Sequence, residues 1–180
     1  TLGCNFMQAY GMKETSGTVV QLNPEDHEPE GPRSGLLKSC GKVLPWVDIR
    51  VIDSGTLTDV KTGDVGEIWL HGLNIGKGYW NKVEETEATF HNKLADRLAS
   101  GSHADGVGPD ANWMATGDYG VWLDGELYIT GRVKDLVIVD GRNHYPQDLE
   151  FSAQESCTAL RPGFVAAFSV AANELPAEVF

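Results

Sequence analysis

Three short stretches of this chain carry side chains suited to holding a nucleotide. They are Tyr10-Gly11-Met12-Lys13-Glu14-Thr15, Thr116-Gly117-Asp118 and residues 130–150, TGRVKDLVIVDGRNHYPQDLE. One carboxylate can accept hydrogen bonds from both hydroxyls of a ribose, and Asp118 beside Gly117 offers one with an open approach. Arg132 can reinforce it with its fork of donors, to the ribose or to a phosphate oxygen. Magnesium takes oxygen ligands and uses only one or two carboxylates when phosphates and water complete its shell. Glu14, on a glycine-flanked loop, suits that single metal-ligating role. Tyr10 presents a flat apolar face to a purine, and Gly11 lets the backbone come close. Each residue also has a plainer reading. Y-G-x-x-E is short and fits an ordinary strand–loop–strand, Asp118 fits a turn acid bonded to local N–H groups, and Arg132 fits a surface ion pair of little weight. With Asp118 and Arg132 flanking one short hairpin, the nucleotide reading is the better one.

Lys134-Asp135 stands where a chain leaving one domain would enter another, and a hinge need only tolerate changes in φ and ψ. The polar loop Arg142–Pro146 offers His144 as a base or a hydrogen-bond donor. His27, His71, His91 and His103 read as structural, and His103 with Asp105 lacks a third ligand nearby, so no metal is assigned there. Glu67 and the pair Tyr79-Trp80 read as core and turn architecture, with Trp80 packing on the helix that follows.

The elements that must position these groups are mixed. Asn5–Tyr10 and Thr18–Leu22 read as short strands around the Gly11–Gly17 loop, and Pro24–Pro32 as a surface loop. Asp48–Ile52 and Glu67–His71 alternate as half-buried strands do, with a turn at Lys61–Asp64. Asn81 and Glu84 have the spacing of a capping box. Phe90, Leu94 and Leu98 then recur every four residues, so a helix is expected from about Lys82 to Ser100, stopping at Gly101. A long polar loop, Ser102–Asn112, follows. Val121–Leu123 and Glu126–Thr130 form a hairpin around Asp124-Gly125, and Asp135–Asp140 is another strand. Pro146 opens a helix to about Leu160, and Phe164–Val170 is the next strand. Without strict βαβ alternation, the fold class is α+β, with a domain junction near Gly131–Lys134.

Composition bounds the function. The 180 residues suit one domain or one and a half. Fourteen basic against 26 acidic residues give a net charge of −12, which argues against a nucleic-acid partner because no basic stripe exists to displace counterions. No apolar run approaches the ~18–20 residues that span a bilayer, so no transmembrane segment is expected. Cys4, Cys40 and Cys157 are odd in number and widely spaced; they read as buried hydrophobes in a reducing cytoplasm, not as a zinc site or disulfide framework.

The order YGMKET, GEIWLHG…GYW, TGD and GRVKD…GRNHYPQDLE resembles the AMP-binding, adenylate-forming superfamily. From residue 67 onward it is most similar to mycobacterial-type long-chain fatty-acyl-AMP ligases, with GRNHYPQDLE and ALRPGFVAAFSVAANELP the most distinctive parts. The resemblance implies that residues 1–133 are the C-terminal portion of a large, β-rich domain. Residues 134–180 would begin a mobile C-terminal domain. It implies ATP, AMP and Mg2+ as cofactors, with Tyr10, Gly11 and Met12 against the nucleotide, Glu14 on magnesium, Asp118 and Arg132 on the ribose, and Lys134 at the hinge. The implied partners are a long-chain fatty acid and the phosphopantetheine thiol of an acyl carrier protein. Coenzyme A as acceptor is the alternative, and a non-catalytic nucleotide-binding module is the further one. Two departures stand out: Lys13 replaces the threonine or alanine usual in the family, and Leu22–Pro45 is short, as in acyl-CoA ligases. The family's phosphate loop is expected before residue 1 and its late catalytic lysine beyond residue 180, so the 180-residue chain alone is expected to be inactive.

Overall fold

The computed structural model describes residues 6–27, 39–104, 108–140 and 142–170. The chain divides into two compact units between Thr130 and Gly131. In the first, β1 (Gln8–Met12), β2 (Gly17–Leu22) and β3 (Lys42–Val43) form a three-stranded antiparallel sheet. A six-stranded sheet runs in the order β5 (Thr58–Asp59), β4 (Val47–Asp53), β6 (Val65–Gly72), β8 (Ala111–Leu123), β7 (Asn92–Lys93), with β9 (Glu126–Arg132) also paired to β8.

The central strands are buried on both faces, not half-buried as their alternation suggests. Because side chains alternate along a strand, Ile49, Val51, Ile68, Leu70 and Met114 enter one core cluster. Ile52, Trp69 and Trp113 enter a second on the opposite face. Arg50 completes that second face. Its fully buried guanidinium bonds Asp59 Oδ1 at 2.6 Å and the Ala104 carbonyl at 3.0 Å, over the Trp113 ring. A buried cation is tolerated only when paired in this way.

The expected helix from Lys82 to Ser100 is much shorter. It is α1 (Val83–Phe90), and Asn81 lies ahead of its cap, Lys82, with a φ of 55° and outside any capping box. Phe90 is buried in the first cluster and Leu94 in the second. No single helical face could serve both sides of a sheet. The Asn92 amide nitrogen instead lies 3.0 Å from the Ala88 carbonyl and 3.1 Å from that of Thr89, and the chain turns extended to pair with β8. Trp80 does not pack on the helix; it is 90% exposed. The hairpin at Asp124-Gly125 is as expected, both residues having positive φ as a tight hairpin turn requires.

In the second unit, β10 (Val137–Val139) pairs antiparallel with β11 (Arg142–His144). Arg142–His144 is therefore strand rather than loop. The strand expected from Asp135 begins at Val137, because Val133–Asp135 is a 3-10 turn. Pro146 opens α2 (Pro146–Ser156) at its first turn, where a missing N–H costs nothing. The helix ends before Leu160, and Gln154 turns back so that its side-chain carbonyl accepts the Gly163 N–H at 2.8 Å. Phe164–Val170 forms no strand, since no described residue pairs with it. Cys40 is buried as expected, but Cys157 is exposed; Cys4 and Asn5, and most of the Pro24–Pro32 stretch, lie outside the described residues. The mixed architecture, sheet-rich with two helices among the described residues, is α+β. No helix among those residues is long and apolar enough to cross a membrane.

Candidate nucleotide site

Thr116-Gly117-Asp118 lies in the middle of β8, not in a terminal turn. Glu67 faces Tyr119 and Trp69 faces Ala115, so β8 spends Thr116, Gly117 and Asp118 where β6 has Ile68 alone. Surplus residues make a bulge, which re-aims a side chain without ending the sheet. Gly117 takes the left-handed φ of 73° this needs, and no atom lies within 4 Å of where its Cβ would be.

Side chains pin the bulge from within. Thr116 Oγ1 donates to the Ile68 carbonyl at 2.8 Å and accepts from the Asp118 N–H at 3.1 Å. Glu67 Oε1 accepts from the Gly117 N–H at 3.1 Å, and its Oε2 accepts from the Trp69 indole at 3.1 Å. Glu67 is architectural, as expected, but its partners and the task of Thr116 carry no local sequence signal. Only a β-bulge, invisible in the alternation of β6, gives a surface-type glutamate this task.

The Asp118 side chain meets Tyr10. The Tyr10 phenol donates to Asp118 Oδ2 at 2.8 Å across 108 residues of sequence. Burial, and then the Asp118 charge, pushes the phenol above the ordinary tyrosine range, so the tyrosine is the donor. Both residues remain half-exposed. The absence of a side chain at Gly11 has a cause in the fold: a Cβ there would lie 2.1 Å from the Gly17 carbonyl oxygen. Met12 packs against the first core cluster.

Glu14 belongs to the 3-10 turn Lys13–Thr15 that follows β1. Thr15 Oγ1 accepts the Met12 N–H at 3.0 Å. The segment after β6 holds the turn from outside, with Gly76 N–H on the Glu14 carbonyl at 2.8 Å and Asn74 Nδ2 on the Thr15 carbonyl at 2.9 Å. Tyr79 Oη donates to Glu14 Oε1 at 2.9 Å. The exposed Lys13 sits beside it. No cluster of three or more His, Cys, Asp or Glu side chains occurs among the described residues. A metal held by protein groups alone therefore does not fit, whereas a lone carboxylate fits magnesium carried in on phosphates.

Arg132 ends β9 and Lys134 lies in the 3-10 turn Val133–Asp135; both are exposed and belong to the second unit. His144 is half-buried on β11, opposite Val137. His103 is structural as expected, stacked on Trp122 at 4.3 Å with Nε2 at 3.1 Å from the Ile49 carbonyl.

The family model described as AMP-binding enzyme matches residues 1–80. A long-chain-fatty-acid–AMP ligase of Mycolicibacterium smegmatis is 54% identical over 167 residues, 92% of this chain and 25% of that protein. A medium-chain-fatty-acid–[acyl-carrier-protein] ligase of Moorena producens is 42% identical over 84% of this chain and 23% of its own length. Among solved structures, O-succinylbenzoate coenzyme A synthetase from Bacillus subtilis, in complex with ATP and magnesium ion, matches with a TM-score of 0.59. Its identity is 31%, covering 83% of this chain and 26% of that one. The chain spans about a quarter of the length of the curated relatives it matches. It belongs to the AMP-binding, adenylate-forming superfamily, and within it is most like the mycobacterial-type relatives.

Proposed function

We propose that this chain is the nucleotide-holding part of a ligase that activates a long-chain fatty acid with ATP and magnesium and passes the acyl group to a carrier protein. The observation that carries this reading is the Tyr10–Asp118 pair at 2.8 Å, which joins two motifs 108 residues apart beside an open glycine. The similarity to fatty-acid–AMP and acyl-carrier-protein ligases supports the substrate and the acceptor.

In the first half-reaction a carboxylate oxygen of the acid bonds to the α-phosphorus, the α–β phosphoanhydride breaks, and pyrophosphate leaves. In the second, the phosphopantetheine sulfur attacks the acyl carbon, AMP departs with the former acid oxygen, and the thiol proton is released. Magnesium, when bound, supplies charge neutralisation on the phosphates. Asp118 holds the ribose hydroxyls, Tyr10 with Gly11 and Met12 walls the nucleotide, and Glu14 is the metal-facing carboxylate. Arg132 adds donors to the ribose or a phosphate, and Lys134 is the pivot. Such groups act by positioning and by preorganised charge. Residues 1–133 then form the end of the large domain and 134–180 the start of the mobile one, in a cytoplasmic enzyme supplied with ATP.

The short Leu22–Pro45 segment favours a second reading, with coenzyme A as acceptor. Both are tested in the full-length polypeptide carrying this sequence, given a long-chain acid, ATP and magnesium. Acyl-AMP should accumulate without acceptor and be discharged faster by holo-carrier protein than by coenzyme A. Faster discharge by coenzyme A supports the second reading. Absence of acid-dependent pyrophosphate release leaves a nucleotide-binding module.

A further inference from the structure

We propose that Tyr79 is a positioning residue for the metal-facing carboxylate, its phenol fixing Glu14 through Oε1 and leaving Oε2 as the oxygen for magnesium. The inference rests on the reading of Glu14 as the magnesium ligand.

Three observations carry it. Tyr79 Oη donates to Glu14 Oε1 at 2.9 Å, and Oε2 has no hydrogen-bond partner among the described residues. The phenol is itself immobilised. The Tyr79 N–H donates to Thr86 Oγ1 at 2.9 Å, and its ring stands edge-on to the buried Phe90 at 5.2 Å. Gly78 allows the approach, since a Cβ there would lie 2.4 Å from the Thr86 methyl carbon. The turn bearing Glu14 is already tethered by Asn74 and Gly76, through backbone carbonyls. Those two contacts hold the turn. The phenol adds a contact to the carboxylate alone, so it sets a side-chain rotamer and not the fold. A carboxylate locked by its neighbours meets a metal without reorganising. Phenylalanine would make the same ring contacts, so packing leaves the hydroxyl unexplained.

The test uses the full-length polypeptide and calorimetry, with ATP titrated at graded magnesium concentrations and AMP titrated without metal. Tyr79→Phe should raise the magnesium concentration needed for ATP binding about 3- to 10-fold, the scale of one hydrogen bond. AMP affinity should be unchanged, and the melting temperature should fall by no more than the loss of one hydrogen bond causes. In a Glu14→Gln background Tyr79→Phe should add nothing. An unchanged magnesium requirement in Tyr79→Phe, or an equal loss of AMP affinity, overturns the role of Tyr79. If Glu14→Gln itself leaves the magnesium requirement unchanged, the reading of Glu14 fails and this inference with it. If Glu14→Gln raises the requirement and Tyr79→Phe does not, only the tyrosine's role is lost.

Discussion

Asp59 and Asp118 lie in one six-stranded sheet, and each accepts a short hydrogen bond, but the two sites solve different problems. Asp59 takes 2.6 Å from Arg50, with side-chain exposures of 2% and 0%. Asp118 takes 2.8 Å from a neutral phenol and stays half-exposed on a bulge held by Glu67 and Thr116. A buried ion pair must be complete to be tolerated, because either partner alone is an uncompensated charge in a poorly polarisable medium. A half-exposed carboxylate with a neutral neighbour can lose its partner cheaply. Burial therefore separates the aspartate that serves the sheet from the one proposed to serve a ligand.

The largest expected effect is at the structural pair. Asp59→Ala should cost about 3–5 kcal/mol of folding stability by stranding the Arg50 guanidinium, read as a fall in the denaturant midpoint. A change under about 1 kcal/mol would erase the contrast with Asp118, where little loss is expected. Next is Glu67→Ala, which removes the acceptor for the Gly117 N–H and the Trp69 indole. About 1–3 kcal/mol should be lost, together with AMP affinity, because the bulge loosens. If stability falls and AMP affinity holds, Glu67 supports Trp69 alone.

Smallest is Tyr10→Phe, about 0.5–1.5 kcal/mol for one hydrogen bond. Its signature is in the pH dependence. The folded phenol titrates above the unfolded value of about 10, so its contribution is complete below that pH and is lost as pH rises through and beyond it. Wild-type stability should decline on that alkaline side more steeply than that of Tyr10→Phe. Parallel profiles would mean that Tyr10 and Asp118 are not coupled in solution.

Much of this was legible in the residues. The strands expected at Thr18–Leu22, Asp48–Ile52 and Glu67–His71, the Asp124-Gly125 turn and Pro146 at the first turn of α2 follow from local chemistry that tertiary structure does not override. The helix beyond Phe90 was not legible. A four-residue apolar repeat gives no sign that Phe90 and Leu94 serve opposite faces of a sheet, which depends on β8 lying between them. Arg142–His144 looked like loop because its strand partner is short and its side chains are polar. At the site, Asp118 and Tyr10 could be named singly, but their contact spans 108 residues and no local pattern encodes it. Glu67 and Tyr79 read only as core and turn architecture, since their partners, Gly117 and Glu14, lie on other strands and turns.

The most direct test of the carboxylate as a ribose anchor compares AMP with 2′,3′-dideoxy-AMP, by calorimetry, in the full-length polypeptide and its Asp118→Ala variant. Wild type should bind AMP about 10- to 100-fold tighter than the dideoxy form, the scale of hydrogen bonds to a charged group. Asp118→Ala should bind the two alike. Equal discrimination with and without Asp118 would contradict the assignment.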